Sequence, residues 1–362
     1  MPLAHLKGSV LVLILFDVCE EIRLEELRKI LGAHAPGREP SFKHPAPQYV
    51  RFERPPVVEP ADSITLESGE AVTGKLKYHD YGVVSVEFQL PFEGDWASWV
   101  NLSSRYVAGQ EFERHATQIA RQRLGRAGPA LVKPYENWLT EDYYIFHIIE
   151  AEGRPTAADL VKSHGDEIAE IVRGENTRLS NEECREVLAS CISYYPSDLA
   201  VIGWNAAFLY DTPAGAETTI QLLEFANSQL LEFRYYDEVL TQRLASVYQS
   251  LDKGTGLLAR WRLARASARL HTLLLDVTEL TERTDNSIKF LSDMFSARLY
   301  RMAANKVGVL DYKSLVQQKL GTAENLYNFM VEQFNQGRAF ILELMVVIIL
   351  VIELVFLFKG KG

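Results

Sequence analysis

The sequence predicts an α+β N-terminal domain, followed by a long antiparallel helical, coiled-coil stalk and a C-terminal transmembrane helix. Three observations carry that prediction. Up to about residue 210, short β-like runs alternate with helical ones; beyond Pro213 no convincing strand follows; and residues 339–358 are apolar except for Glu343 and Glu353. The expected boundaries are a soluble head at 1–211, a stalk at 212–338 and a membrane helix at 339–358.

In chain order, "VLVLILF" reads as a first strand and "CEEIRLEELRKILG" as an amphipathic helix, with Ile22, Leu24, Leu27, Ile30 and Leu31 apolar and Gly32 at its end. A Pro-, Gly- and His-rich loop from Ala33 to Pro47 follows. "QYVRFER", "SITLESG" and "AVTGKLKYHDYGVVSVEFQLP" are strand material with a turn at "HDYG". "EFERHATQIARQRLG" is a helix, "DYYIFHIIE" a strand and "TAADLVKSHGDEIAEIVRG" another helix. After "SNEECREVLASC", whose Ser180 and Glu183 fit a capping box, "LAVIGWNAAFLYD" reads as a hairpin.

Breaks at Lys253–Gly256 and Val307–Asp311 then divide the remainder into three long helices. The first sets Leu223, Ala226, Leu230, Phe233, Asp237, Leu240, Leu244, Val247 and Leu251 three and four apart, a coiled-coil seam in which Asp237 is the polar member. Asp237 is expected to fix register or partner number, or to pair with an arginine on the next helix. The second helix, Leu257 to about Lys306, is roughly 75 Å long if unbroken. The third begins at Asp311 and continues into the apolar segment.

That segment holds twenty residues, sixteen of them Leu, Ile, Val or Phe. At about 1.5 Å per residue it is roughly 30 Å long, the thickness of a bilayer's hydrocarbon core. Glu343 and Glu353 lie in its first and last thirds, where a carboxylate reaches the interface or is protonated at reduced cost. As intramembrane acids they point to helix association. An interfacial or partner-buried helix is the alternative.

Composition sets the function classes. The chain has 362 residues, 47% hydrophobic and 24% charged, with a net charge of −10, which argues against a general nucleic-acid coat protein. Cys19, Cys184 and Cys191 form no zinc spacing and no full disulfide framework, so the head is expected in a reducing compartment. The apolar run from Val10 to Phe16 is too short to span a membrane and lacks a cleavage site, and no organellar presequence is present. We therefore expect a bacterial inner-membrane protein with a single C-terminal pass and a cytoplasmic head. Lys359 and Lys361 beyond the span argue for the opposite orientation.

Signatures of catalysis, cofactor binding and metal binding are absent: there is no GxSxG elbow, no Walker loop and no HExxH. His147, inside an apolar strand, reads as a core or surface histidine. Charge distribution is more informative. Lys253 to Leu275 contains no acid, while Arg262, Arg265 and Arg269 fall on one side of a helix with Arg260 nearby. Such a stripe holds RNA phosphates, anionic lipid headgroups or acids on a neighbouring helix, or it is simply solvated. A second acid-free stretch, "RHATQIARQRLGRAGPALVK", carries Arg114, Arg121, Arg123, Arg126 and Lys133 and has the same readings.

"LEFRYYDEVL", "LLLDVTELTERTDNSIKFLSDMFSARLYRMAANKVGVLDY" and "ILELMVVIILVIELVFLF" resemble the required-for-meiotic-nuclear-division family of membrane-anchored, sporulation-protein-like chains, over about residues 190–358. In that family the membrane segment carries a Leu-Glu near its start and an Ile-Glu or similar near its end, here Leu342-Glu343 and Ile352-Glu353. The resemblance implies a non-enzymatic, homo-oligomeric membrane scaffold that tethers a macromolecular partner, ribosomes among the candidates, and it transfers no functional residue. The alternatives are an enzyme or ligand sensor with an unrecognised site in the head, and a purely self-assembling membrane organiser.

Overall fold

The structure, a computed structural model, describes residues 5–32, 55–251 and 294–359, with isolated positions between 268 and 278. Two compact units partition the chain, Met1–Tyr235 with Arg283–Lys313, and Tyr236–Glu282 with Ser314–Gly362.

The first unit is built on an eight-stranded mixed sheet in the order β2-β3-β4-β1-β5-β8-β7-β6. β1 (Leu6–Ile22) lies near its middle, antiparallel to both β4 (Val83–Gly94) and β5 (Leu131–Ala151). β2 (Val57–Thr65) and β3 (Ala71–Tyr78) extend the sheet beyond β4. On the other side β8 (Ala206–Tyr210) runs parallel to β5, and β7 (Leu199–Ile202) and β6 (Cys191–Ile192) complete the order. The alternation of a strand explains why "VLVLILF" is apolar at every position: both faces of β1 are covered.

On one face Val10, Val12, Ile14 and Phe16 join a core with Trp96, Trp99, Phe112, Ala116, Leu160 and Ile168. These come from α2 (Trp96–Val107), α3 (Glu111–Ala127) and α4 (Ala157–Arg173), beside α1 (Leu24–Ile30) and α5 (Asn181–Leu188). Caps fix these helices: Asp95 accepts from Ser98 N, Thr156 and Asp159 form a reciprocal capping box, and the Ser180 side chain accepts from Glu183 N. Leu11, Leu13 and Leu15 turn to the opposite face and are buried there. The head half of α6 (Pro213–Leu251) crosses that face, with α7 (Met294–Lys306) packed beside it through Tyr300, which meets Phe225 and Gln229.

The turn between β3 and β4 is the "HDYG" of the sequence, closed by Gly82 N donating to His79 O at 3.2 Å. Gly82 has φ +97°, and a Cβ there would lie 1.8 Å from the Cys19 carbonyl oxygen, so only glycine fits.

Several expectations are corrected. β1 runs to Ile22 and absorbs "DVCEEI", because Cys19, Glu21 and Ile22 pair with Pro134, Val132 and Leu131 of β5. The helix that follows begins only at Leu24. α2, which sequence periodicity did not single out, is a full helix. The Ala33–Pro47 loop, "QYVRFER" and the break at Lys253–Gly256 lie outside the described residues.

The stalk is corrected too, since no long coiled-coil stalk is present among the described residues. A coiled-coil seam buries every third or fourth residue. In α6 Leu222 to Phe233 are buried at every position, because sheet and helix cover this segment from different sides. In the second unit the rest of α6 contributes Leu244 and Val247 to a small core with Leu270, Ala323 and Met330, the last two on α8 (Val309–Lys359). α8 starts directly after Gly308, whose φ of +93° ends α7.

Finally, among the described residues no helix is long and apolar enough to cross a membrane. That overturns the transmembrane helix, the C-terminal anchor and the inner-membrane location expected from residues 339–358. Residues Met345–Leu350 belong to α8 and are about half exposed, as are Val351, Ile352, Leu354 and Val355.

Candidate functional site

The most concentrated chemistry lies between the sheet and α6. Glu224, Ser228 and Glu232 are spaced i, i+4, i+8 and so form one stripe of the helix. All three are buried. Facing the first of them, β3 presents Lys75 and Lys77, with His79 directly after the strand, and β4 presents Ser85 and Glu87, on alternating positions. The register sets Lys75 opposite Glu87 and Lys77 opposite Ser85.

Lys77 lies between two carboxylates, 2.8 Å from Glu87 Oε2 and in direct contact with Glu224. Lys75 approaches Glu87 Oε1 at 2.9 Å, and His79 Nε2 lies 3.9 Å from Glu224 Oε1. Burial by itself would lower the Lys77 ammonium, but Glu224 and Glu87 outweigh it and hold its pKa above the ordinary lysine value. Burial would likewise raise Glu224, yet Lys77 and then His79 hold that carboxyl far below the usual range. Both groups are therefore charged at neutral pH. One turn along, Tyr81 and Ser228 share a hydrogen bond of 2.8 Å, and the Tyr81 ring packs on His79 and Phe225.

The far end of the stripe differs. Asp17, on β1, is 1% exposed, and neither of its carboxyl oxygens has a hydrogen-bond partner. Burial first, and Glu232 second, push its pKa well above the ordinary aspartate value. Here the β1–β5 ladder is interrupted: Asp17 pairs with Leu139 and Cys19 with Pro134, two steps on β1 against five on β5. Lys133, just before this bulge, has φ 48°, a left-handed conformation that a lysine rarely adopts. The bulge sends Tyr135 onto Tyr235 of α6 at 4.3 Å, while Trp138 packs with Phe16 at 5.8 Å on the other face. Arg234 bonds Glu141 directly above this region, and burial raises Glu141 to about 6 although Arg234 opposes the shift.

The arrangement therefore combines a locked charge network at one end with a carboxyl held towards its neutral form at the other. Lys77 is pinned as a cation and is unavailable as a base. Among the described residues no group of three or more His, Cys, Asp or Glu side chains is placed to hold a metal.

The residues singled out in the sequence fall elsewhere. Arg260, Arg262, Arg265 and Arg269 lie outside the described residues. Glu343 and Glu353 are exposed on α8. Asp237 accepts from Lys319 Nζ of α8 at 2.6 Å, so its partner is a lysine of the last helix and not the expected arginine of the helix that follows α6. The second basic stretch is spent internally: Arg114 pairs with Glu67, Arg123 with Asp62, Lys133 with Glu20, and Arg121 lies over the Trp138 ring at 4.9 Å. His147 is a buried core histidine whose Nε2 bonds the Asp211 carbonyl at 2.9 Å.

Sequence reading missed the stripe. Its signals were the period-two polar positions 75, 77, 79 and 85, 87, which look like a solvent face, and Asp17 at the end of an otherwise apolar run.

Comparison with known proteins corrects the family. The family described as "Uncharacterized protein MJ0711, N-terminal domain" matches residues 7–217, the stretch that carries the sheet. The match does not favour the required-for-meiotic-nuclear-division resemblance, which rested on residues 190–358. Uncharacterized protein MJ0711 of Methanocaldococcus jannaschii is 18% identical over 196 residues, 54% of this chain and 60% of the relative. The matched stretch thus covers about three fifths of that relative's length. No solved structure matches the chain. The family match includes Asp17, Lys77 and Glu87 and ends before Glu224 and Glu232, so it covers the sheet half of the stripe and not the helix half. By this match the chain belongs to the family of the MJ0711 N-terminal domain.

Proposed function

We propose that this chain is a non-enzymatic scaffold that assembles with copies of itself through its helical unit. One observation carries the reading: from Met345 to Val355 the large apolar side chains on α8 are each about half exposed, on every side of the helix. A surface of that extent costs too much to leave in water, and protein covers such patches in assemblies. Coverage on all sides calls for several neighbours, and copies of the same helix in a closed bundle supply them. The buried stripe supports the same view, because Lys77, Glu87, Glu224, Arg234 and Glu141 spend their charges on one another and hold α6 to the sheet.

Sedimentation velocity on the full-length chain tests this. The expected result is a discrete oligomer that Ile348→Glu with Ile352→Glu converts to monomer, with the helical circular-dichroism signal retained. A monomeric wild type, or an oligomer indifferent to the two substitutions, overturns the reading.

Tethering of a phosphate-bearing partner, such as a ribosome, rests on the sequence spacing of Arg262, Arg265 and Arg269 alone. Co-sedimentation with ribosomes that is lost in the triple Glu variant would support it, and co-sedimentation unchanged in that variant would remove it.

A further inference from the structure

We propose that the terminal edge of the sheet, where the β6–β7 turn meets the first turn of α7, is a docking surface for an acidic, aromatic-bearing segment of another protein.

The side chains come first. Tyr194 and Tyr195 follow β6 and are 61% and 48% exposed, and Met294, at 81%, is the most exposed large apolar side chain among the described residues. They belong to one patch. The Tyr194 ring packs edge-on against Tyr195 at 4.7 Å and against Phe295 of α7 at 5.1 Å, and Met294 directly precedes Phe295. Both elements lie in the first unit, which already has a full core of its own. Apolar side chains gathered on the outside of such a unit mark an interaction site.

The patch is set before any partner arrives. Asp198 accepts from the Tyr194 N–H on one carboxylate oxygen and from the Tyr195 N–H on the other, both at 2.8 Å. These bonds fix the backbone beneath both rings, so less conformational freedom is lost on binding. They also occupy the acid of this turn.

Charge selects the partner. Met294, Arg298 and Arg301 are exposed and spaced i, i+4, i+7, one stripe of α7. Arg298 lies over the Phe295 ring at 5.9 Å, which joins the stripe to the aromatic patch. Neither Arg298 nor Arg301 has an acid partner among the described residues, whereas Lys306, further along α7, is taken by Glu186 at 2.7 Å. On a chain of net charge −10, two unpaired arginines beside tyrosine, phenylalanine and methionine reverse the sign locally. Those four residue types are the ones enriched in interfaces, and complementarity assigns acids to the partner.

The sheet edge selects a protein segment. β6, two residues long, ends the strand order, and its outer edge has no ladder partner among the described residues. An extended segment can add to that edge through main-chain hydrogen bonds. Single-stranded nucleic acid is disfavoured, because successive bases stack on aromatic faces and here the rings meet at 85° and 71°.

The test uses the full-length chain and a fluorescent random copolymer of glutamate and tyrosine, with polyglutamate and oligouridylate beside it. The copolymer should bind more tightly than polyglutamate, and less tightly as salt rises. Arg298→Glu with Arg301→Glu, and separately Tyr194→Ala, should each weaken it by about tenfold or more. All three side chains are exposed, so circular-dichroism melts of the variants should match wild type, and the Met294 methyl NMR signal should shift as copolymer is added. Failure of the copolymer to bind, binding that the substitutions leave unchanged, or equal binding of oligouridylate through the same residues overturns the proposal. If the arginine variant instead loses oligomers that wild type forms, and the copolymer does not bind wild type, the surface joins copies of this chain and the proposal falls.

Discussion

Lys77 of β3 and Glu224 of α6, separated by 147 residues in sequence, meet as a buried ion pair that ties the sheet to the helix lying across it. Glu87 shares the same ammonium at 2.8 Å. Removing the lysine takes the cation from the buried Glu224 and leaves Glu87 with Lys75 alone, whereas removing Glu224 leaves Lys77 with Glu87 as a partner. Lys77→Met should therefore cost about 3–5 kcal/mol and Glu224→Gln distinctly less, read from urea unfolding of the two variants. Equal losses would mean that Glu87 contributes nothing.

The same pair governs the acid side of the stability profile. Because the Glu224 carboxyl is held far below its ordinary value, its stabilisation is complete above about pH 4.3 and is lost as pH falls through the folded value. Thermal melts at falling pH should show a shallower acid limb in Glu224→Gln than in wild type.

Gly82→Ala tests the tight approach of the β3–β4 turn to β1. With φ at +97° and the Cys19 carbonyl 1.8 Å from the new Cβ, the substitution should cost at least about 1–3 kcal/mol. Gly69→Ala, in a left-handed turn with nothing within 4 Å, carries only the conformational part and should be milder in the same melts.

In the second unit Asp237 and Lys319 are about a quarter exposed and meet at 2.6 Å. Solvent screens such a pair, so a double-mutant cycle with Asp237→Ala and Lys319→Met should return a coupling of about 1 kcal/mol or less, smaller at high salt.

The cysteines should differ in reactivity. Burial pushes the Cys19 thiol up to about 12, and Cys191 is only half-buried. Iodoacetamide applied to the folded chain, followed by mass spectrometry, should modify Cys191 first and Cys19 only in denaturant.

The elements legible in the sequence were those with a local signature. Thr156 through Gly174 shows its cap, its period and its left-handed stop in the residues themselves, and "HDYG" and "GWN" mark turns between alternating runs. Illegible were features created by distant partners. β1 continues through Glu20 and Glu21 only because β5 returns beside it, and a helix former in isolation is overridden there by the ladder. The seam read from Leu223 to Leu251 is real as a spacing, yet Glu224, Ser228 and Glu232 beside it are equally buried, since a sheet and not a second helix faces them. Burial of a polar residue depends on what comes to lie over it, which one-dimensional periodicity does not encode.

The central placement of β1 sets a schedule for the nascent chain. β1 is made before either of its partners, pairing Leu6 with Gly94 and with Ala151, and the parallel β8 closes against β5 only after β6 and β7 have been made. An apolar strand with two open edges must therefore wait through most of the head's synthesis, and contacts of such long range are slow to form. During that interval "VLVLILF" is the segment most exposed to pairing with another chain, which makes it the place where folding assistance would be needed first.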